Sequence, residues 1–136
     1  MILLDTNVIS ELMRPVPSSA VFNWVAVRPM QGLFLSAVTE AELRFGLLIM
    51  PEGARHERLG REFDRILADG FADRVLSFDS AAAIHFARIM SERRASGQPI
   101  LHPDAQIAAI ALAHGMPLAT RNLRDFEGTG VTLLDP

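Results

Sequence analysis

The sequence contains no cysteine and no lysine. Without cysteine the chain has no disulfide bond, no thiolate metal ligand and no thiol nucleophile. Without lysine, Schiff-base chemistry, the phosphate-binding lysine of a P-loop and the lysine that steadies a phosphoaspartate are also excluded. All 13 of the Lys+Arg residues are arginines. Any charged hydrogen bond to a phosphate is therefore expected to come from a guanidinium group.

Long apolar runs and a basic leader are also missing. Met1 is followed directly by Ile2, and no apolar run approaches the roughly 20 residues that span a bilayer. We therefore expect a cytoplasmic protein that makes no membrane contact. The 136 residues, 49% hydrophobic and 21% charged, predict one globular domain over residues 1–136. A net charge of −3 is unusual for a nucleic-acid-binding protein, but carboxylates gathered around a metal would mask arginines that line the approach.

Short apolar runs alternate with helical patterns along the whole chain. The predicted strands cover residues 2–4, 33–35, 75–78, 117–120 and 131–133. The predicted helices cover residues 6–14, 18–28, 36–49, 53–69, 80–96, 104–113 and 122–126. This alternation predicts an α/β sandwich, with helices on both faces of a short, mostly parallel sheet. The charged, amphipathic helix over 53–69 is the expected partner surface.

Polar residues follow the predicted strands at the points where the strands end. Asp5 follows the first strand, Glu42 lies in the helix after the second, Asp104 starts the helix before the fourth, and Asn122 and Asp125 follow the fourth. Ligands of open parallel sheets bind at this edge. Converging carboxylates repel one another unless a hard cation neutralises them, and an all-oxygen site suits Mg²⁺ or Mn²⁺. Such a site can activate water for attack on a phosphodiester.

The same residues also have purely structural interpretations. Asp5 and Asp104 could each serve only as a negative group at a helix N-terminus, and Glu42 could be one more exposed helical glutamate. Asn122 and Asp125 have the spacing of an N-cap residue and an acidic residue in the first helical turn.

Four segments, taken in order, strongly resemble the PIN-domain ribonucleases. They are MILLDTNVIS at 1–10, LSAVTEAELRFG at 35–46, DAQIAA at 104–109 and LATRNLRDF at 118–126. Within that family the chain is most similar to the VapC toxins, and among those to the FitB-like branch. Each segment alone is weakly specific, but the four together at these separations are specific.

The resemblance implies a PIN-like three-layer α/β/α sandwich and a Mg²⁺- or Mn²⁺-dependent endoribonuclease toxin that cleaves RNA. It also implies a homodimer, a cognate DNA-binding antitoxin that neutralises the toxin, and a larger assembly of both on operator DNA. The acidic positions of the family fall on Asp5, Glu42 and Asp104, whereas its fourth acid is replaced here by the uncharged Asn122. Asp125, three residues further on, lies on the same face of a helical turn and could supply the missing carboxylate.

Neighbouring polar side chains and arginines complete the predicted site. Thr6, Asn7, Ser36 and Thr120 stand beside the acids and could orient them, although such residues also satisfy backbone groups. Arginine suits bidentate contact with phosphate. The arginines near these segments are Arg14, Arg44, Arg88, Arg93, Arg94, Arg121 and Arg124. Of these we assign Arg44, Arg88, Arg121 and Arg124 to RNA binding.

Other acid-pocket proteins are weaker matches. A receiver domain needs its lysine, and an aspartyl-phosphate phosphatase needs a second aspartate where this chain has Asn7. The remaining alternative is a PIN module that has lost catalysis through Asn122 and acts through antitoxin binding and operator regulation. We predict the nuclease, with Asp5, Glu42, Asp104 and Asp125 as catalytic residues and Asn122 as a further metal ligand.

Overall fold

The computed structural model describes residues 1–136 and places helices on both faces of a parallel sheet. In chain order the elements are β1 (Ile2–Leu4), α1 (Thr6–Leu12), α2 (Ser19–Ala26), β2 (Leu33–Ser36), α3 (Ala37–Ile49), α4 (Ala54–Arg65), β3 (Val75–Leu76), α5 (Ser80–Ala95), α6 (His102–Ala113), β4 (Leu118–Ala119), α7 (Leu123–Phe126) and β5 (Leu133–Leu134). A 3₁₀ turn at Met30–Gly32 precedes β2, and a π-helical turn at Ile66–Gly70 follows α4.

The five strands lie in the order β3-β2-β1-β4-β5, and every neighbouring pair is parallel. The chain first builds the sheet outward from β1 through β2 to β3, and then returns to add β4 and β5 on the other side. The direction of building therefore reverses between β1 and β4. Parallel α/β sheets bind ligands in the crevice outside the carboxyl ends of the strands at such a switch point.

Alternate residues of the central strands face opposite layers of helices. Leu3 and Leu118 pack with α5 and α6, while Leu4 and Ala119 pack with α1, α2 and α4. All four residues are fully buried, as expected for strands that are covered on both faces. The predicted three-layer α/β/α sandwich around a parallel sheet is confirmed.

Several element boundaries differ from those predicted. α6 begins at His102, two residues earlier than predicted, because Pro103 stands in the first helical turn, where a missing N–H leaves no hydrogen bond unmade. α4 ends at Arg65, and its continuation is the π-helical turn. β5 is Leu133–Leu134 rather than residues 131–133, because Leu133 is the residue that pairs with Leu118. No helix is long and apolar enough to cross a membrane.

Candidate active site

A polar cleft lies at the carboxyl ends of β1 and β4, where the direction of sheet building reverses. Its volume is about 590 Å³, and no hydrophobic residue lines it. The lining residues are Asp5, Thr6, Asn7, Ser10, Glu11, Arg14, Glu42, Arg55, Asp104, Arg121 and Asn122. The structure thus brings together four of the five residues predicted as catalytic groups or metal ligands.

Asp5 is buried at the floor of this cleft, and both of its carboxylate oxygens accept hydrogen bonds. Oδ1 accepts one from the backbone N–H of Thr6 at 2.8 Å, and Oδ2 accepts one from the hydroxyl of Thr120 at 2.8 Å. Asp5 is therefore the N-cap of α1 as well as a cleft residue. Burial raises the pKa of Asp5 above its usual value, against these two hydrogen bonds, and the charges of Glu42 and Asp125 raise it further.

Thr120 joins the two segments that flank the switch point. Thr120 is fully buried, and its hydroxyl group donates a hydrogen bond to Asp5. The same oxygen accepts hydrogen bonds from Nδ2 of Asn7 at 3.3 Å and from the backbone N–H of Asn122 at 3.0 Å. Asn7 in turn accepts from the backbone N–H of Arg121 at 3.3 Å. Thr120 and Asn7 thus fix the loop after β4 against the start of α1.

A chain of hydroxyl groups ends at Glu42, which projects from α3 toward the cleft. The hydroxyl of Thr6 donates to Oε1 of Glu42 at 2.8 Å and lies 2.9 Å from that of Thr39, which accepts from the hydroxyl of Ser36 at 3.3 Å. Each hydroxyl has one proton, so Thr39 donates to Thr6 in this arrangement. Ser36 also caps α3 by accepting from the backbone N–H of Thr39. One directed chain of hydrogen bonds therefore orients Glu42.

Asp104 is half-buried in the first turn of α6. Burial raises the pKa of Asp104 to about 6, and the charges of Asp5, Asp125 and Glu42 contribute to the increase in that order. The acidic groups from four separate segments therefore repel one another across the cleft.

Asn122 and Asp125 do not form the local capping pair that their spacing allows. Asn122 is the N-cap residue of the single-turn helix α7, but its side chain makes no capping hydrogen bond and instead lines the cleft. Asp125 does not line the cleft, although its charge acts on both Asp5 and Asp104. Asp125 therefore lies close enough to add negative potential to the site.

The oxygen donors of the cleft fit a hard divalent cation in kind and in charge. No three acidic or histidine side chains are close enough together to form a closed set of metal ligands. Mg²⁺ does not need one, because it binds through one or two carboxylates and keeps several water molecules. Burial is the main cause of the raised pKa of Asp104, and the repulsion by Asp5, Asp125 and Glu42 that adds to it is what such a cation would relieve.

Of the four arginines assigned to RNA binding, only Arg121 lines the cleft. Arg44 pairs with Glu40 on α3, and Arg88 pairs with Glu92 on α5. Arg124 is exposed on α7, outside the lining. Sequence spacing could not separate these cases, because it does not show which face of a helix or turn an arginine occupies.

Five residues that line or support the cleft were not assigned to the site from the sequence: Ser10, Glu11, Arg14, Thr39 and Arg55. Glu11 looks like an ordinary helical glutamate, yet it is buried and forms ion pairs with Arg14 and Arg121. The only sequence signal for Thr39 is its place one helical turn before Glu42.

A second groove, of about 800 Å³, adjoins the cleft between α1, α3 and α4. Its apolar lining residues are Met13, Leu43, Leu47, Met50 and Leu59, together with Pro15, and the arginines at 14, 55 and 58 also line it. Thr6, Ser10, Arg14, Glu42 and Arg55 line both cavities. The helix predicted as a partner surface therefore forms one side of a groove that opens into the cleft.

Comparison with known proteins gives a consistent family assignment. The family model described as the PIN domain matches residues 2–130. Over 136 residues, all of this chain, the sequence is 43% identical to VapC ribonuclease Y4jK of Sinorhizobium fredii and to plasmid stability protein StbB of Pseudomonas syringae pv. tomato, covering 97% and 98% of those proteins. It is 38% identical to toxin FitB of Neisseria gonorrhoeae over the same length, 98% of that protein.

Solved structures agree in fold. The crystal structure of FitAcB from Neisseria gonorrhoeae superposes with a TM-score of 0.91 at 38% identity, covering 100% of this chain and 98% of that one. The structure of FitAB bound to an IR36 DNA fragment gives a TM-score of 0.90 at 37% identity, covering 98% of this chain and 94% of that one.

Proposed function

Because this chain belongs to the PIN domain family, we propose that it is a metal-dependent endoribonuclease that cleaves RNA phosphodiester bonds and serves as the toxin of a toxin–antitoxin pair. The observation that carries the proposal is the polar cleft at the β1/β4 switch point, where Asp5, Glu42 and Asp104 meet with Asn122. Relatives named as a VapC ribonuclease and as a toxin support the same activity.

Asp5, Glu42 and Asp104 would hold Mg²⁺ or Mn²⁺, one or two of them directly and the rest through water molecules that the cation retains, and Asn122 would add an uncharged carbonyl oxygen. A divalent cation at such a site lowers the pKa of a water molecule and stabilises the charge that develops on the phosphate. Asp125 contributes negative potential from just outside the lining. The missing fourth carboxylate favours one firmly bound cation over two.

Two threonine hydroxyl groups orient the carboxylates of Asp5 and Glu42. Thr120 donates to Oδ2 of Asp5, and Thr6 donates to Oε1 of Glu42. Each carboxylate oxygen can accept more than one interaction, so these bonds leave lone pairs free for a ligand. Groups that orient metal-binding carboxylates in this way typically affect metal affinity and activity strongly.

The groove beside the cleft is the proposed binding surface for a DNA-binding antitoxin. Its apolar floor, formed in part by Leu43, Leu47 and Leu59, suits an amphipathic helix. We further propose that the chain acts as a homodimer in the cytoplasm and that the toxin–antitoxin complex binds operator DNA. The FitAB structure with a DNA fragment supports the last point.

The test is cleavage of a pool of structured and unstructured RNAs by the purified chain with Mg²⁺, Mn²⁺ or EDTA. Cleavage is expected with either cation and should stop in EDTA. Asp5→Asn and Glu42→Gln should abolish it without unfolding the chain. The matched control is Glu40→Gln, which removes a carboxylate from the same helix but outside the cleft lining, and should leave the rate unchanged.

Asn122 favours one alternative, a PIN module that acts through antitoxin binding and operator regulation without efficient catalysis. A folded, metal-supplied chain that leaves every RNA intact, while Asn122→Asp gains cleavage, would replace the nuclease proposal with this one. If the nuclease proposal holds, Asn122→Asp keeps or raises activity and tightens metal binding, since it restores a negative ligand.

A further inference from the structure

One wall of the cleft is organised by a buried carboxylate that the proposed reaction does not use. The side chain of Glu11, at the end of α1, is only 9% exposed. Its Oε1 accepts a hydrogen bond from the backbone N–H of Ser18 at 2.8 Å. Its Oε2 forms ion pairs with Nη1 of Arg14 at 3.4 Å and with Nη1 of Arg121 at 3.1 Å. Glu11 therefore holds together two arginines that are far apart in the sequence.

The charges on this wall do not cancel. One glutamate faces two guanidinium groups, so the group of three carries a net positive charge. The hydrogen bond from Ser18 and the two arginines lower the pKa of Glu11 below its usual value, which shows that these contacts favour the ionised carboxylate. The positive charge is local to this wall, because the remaining carboxylates of the lining, Asp5, Glu42 and Asp104, are those assigned to the cation.

Both arginines retain donors for a ligand. The ion pair of each with Glu11 is formed by Nη1, and a guanidinium group has five N–H donors. Their side chains remain 65% and 43% exposed, for Arg14 and Arg121 respectively. Arg55 lines the same cleft and adds a third positive charge. Guanidinium groups fixed in this way suit bidentate contact with phosphate oxygens.

We propose that Arg14 and Arg121, fixed by Glu11 and assisted by Arg55, form a subsite for an RNA phosphate next to the one that is cleaved. This inference rests on the proposed function, since it takes RNA as the substrate of the cleft. Glu11 is a positioning residue and does not touch the RNA. The cleft side of the subsite fits a phosphate rather than an apolar protein segment, because no hydrophobic residue lines the cleft, although Arg14 and Arg55 also border the apolar groove.

RNA binding can be measured without cleavage. In an Asp5→Asn background, the affinity for a fluorescently labelled single-stranded RNA oligonucleotide is measured by anisotropy as a function of salt concentration. Arg14→Gln and Arg121→Gln should each weaken binding several-fold and flatten the salt dependence by about 0.7 in log–log slope for each phosphate that is no longer neutralised. The matched control is Arg65→Gln, which removes an arginine from an ion pair with Glu62 outside the cleft, and should leave the slope unchanged.

The direction in which Glu11→Gln changes the RNA affinity is decisive. The variant keeps an acceptor for the Ser18 N–H but loses the ion pairs that fix the two arginines. Positioning predicts weaker RNA binding, even though a negative charge has been removed from the cleft. Simple electrostatics predicts tighter binding, so tighter binding would overturn the proposal. Glu62→Gln is the control for removing a negative charge elsewhere and should not weaken binding.

The result separates this inference from the proposed function. If the wild-type chain cleaves RNA and the arginine variants bind it with unchanged slopes, the subsite is wrong and the nuclease stands. If the wild-type chain leaves RNA intact and the slopes still fall in the arginine variants, the nuclease is wrong, and the two arginines form an RNA-binding site without a cleaved phosphate beside it. Should Glu11→Gln unfold, the two variants at the exposed arginines decide the matter.

Discussion

Folding buries the carboxylate of Asp104 and makes its ionised form less favourable than in the unfolded chain. Its folded pKa of about 6 exceeds the value of 3.8 for a free aspartate, so the folded chain binds more protons than the unfolded chain between these values. The free energy of unfolding of the metal-free protein should therefore fall as the pH rises through that window and stay low above it. Asp104→Asn should stabilise the metal-free protein at pH 7 by about 1 kcal/mol, a value reduced from the full shift because the group is half exposed.

Urea unfolding in EDTA at pH 4 and pH 7 measures this effect. The stabilisation by Asp104→Asn should be larger at pH 7 than at pH 4, where the wild-type carboxyl group is largely protonated in the folded chain. A variant that is less stable than wild type at pH 7 would contradict the cost of burying this carboxylate among the other acids.

Thr39 should matter for catalysis although it lies outside the cleft lining. Thr39→Val keeps the side-chain volume but removes the hydroxyl that donates to Thr6 and accepts from Ser36. The hydroxyl of Thr6 is then free to turn away from Glu42. We expect metal affinity or cleavage to fall about 10-fold, measured by metal titration and by kinetics. Thr39→Ser restores the hydroxyl and should recover most of the activity, which a defect in packing alone would not allow.

The sequence pointed to the acids and to Thr6 and Thr120, whose hydroxyl groups donate to Glu42 and Asp5, but not to every residue that orients the site. Asp5 is predictable because a buried strand ends at it, and Glu42 and Asp104 follow from their place in family motifs. Thr39 and Glu11 are not, because a helical threonine or glutamate has many potential partners and only the packing of α1, α3 and the loop after β4 selects among them. Arg44 and Arg88 show the same limit, since each pairs with a glutamate on its own helix.

Two glycines differ in whether their backbone conformation requires glycine. Gly60 lies inside α4, where a Cβ would meet no atom within 4 Å, whereas Gly97 follows α5 with φ of +70°. Gly60→Ala should stabilise the protein by about 0.5–1 kcal/mol, because alanine favours the helix. Gly97→Ala should destabilise it by about 1 kcal/mol, because the left-handed conformation strains a residue with a Cβ. Denaturant unfolding of both variants tests the pair, and equal effects would contradict these backbone assignments.

At the level of elements, long buried segments were predicted more reliably than short edge strands. The helix α6 is identifiable from the sequence because it is rich in alanine, a strong helix former. In the structure its residues 107–111 are all fully buried in the core. β5 has only two residues, Leu133–Leu134, and two adjacent apolar positions fit more than one register. Its true register depends on backbone hydrogen bonds to β4, from Leu118 to Thr132 and from Thr120 to Leu134, which no local pattern encodes.

The acids of the cleft come from segments that span most of the molecule, so a bound cation should stabilise the whole fold. A ligand that binds only the folded chain adds about 1.4 kcal/mol to its stability at ten times the dissociation constant. Mn²⁺ or Mg²⁺ should therefore raise the melting temperature of the wild-type chain, and EDTA should reverse the increase. Asp5→Asn should abolish the shift, while Asp73→Asn, at an exposed residue outside the cleft lining, should retain it. An identical shift in both variants would place the cation elsewhere.

The hydrogen bond between Asp5 and Thr120 joins residues 115 positions apart, and this separation sets an order of events during synthesis. The first strand is synthesised before its neighbour β4, and all the helices from α1 to α6 are made in between. Until the residues from 118 onward emerge, Asp5 lacks its hydroxyl partner and the cleft lacks Asn122 and Arg121. A cleft assembled in this way cannot form by local folding of the first strand and helix, so a nascent chain that lacks the segment around Thr120 should carry an incomplete site.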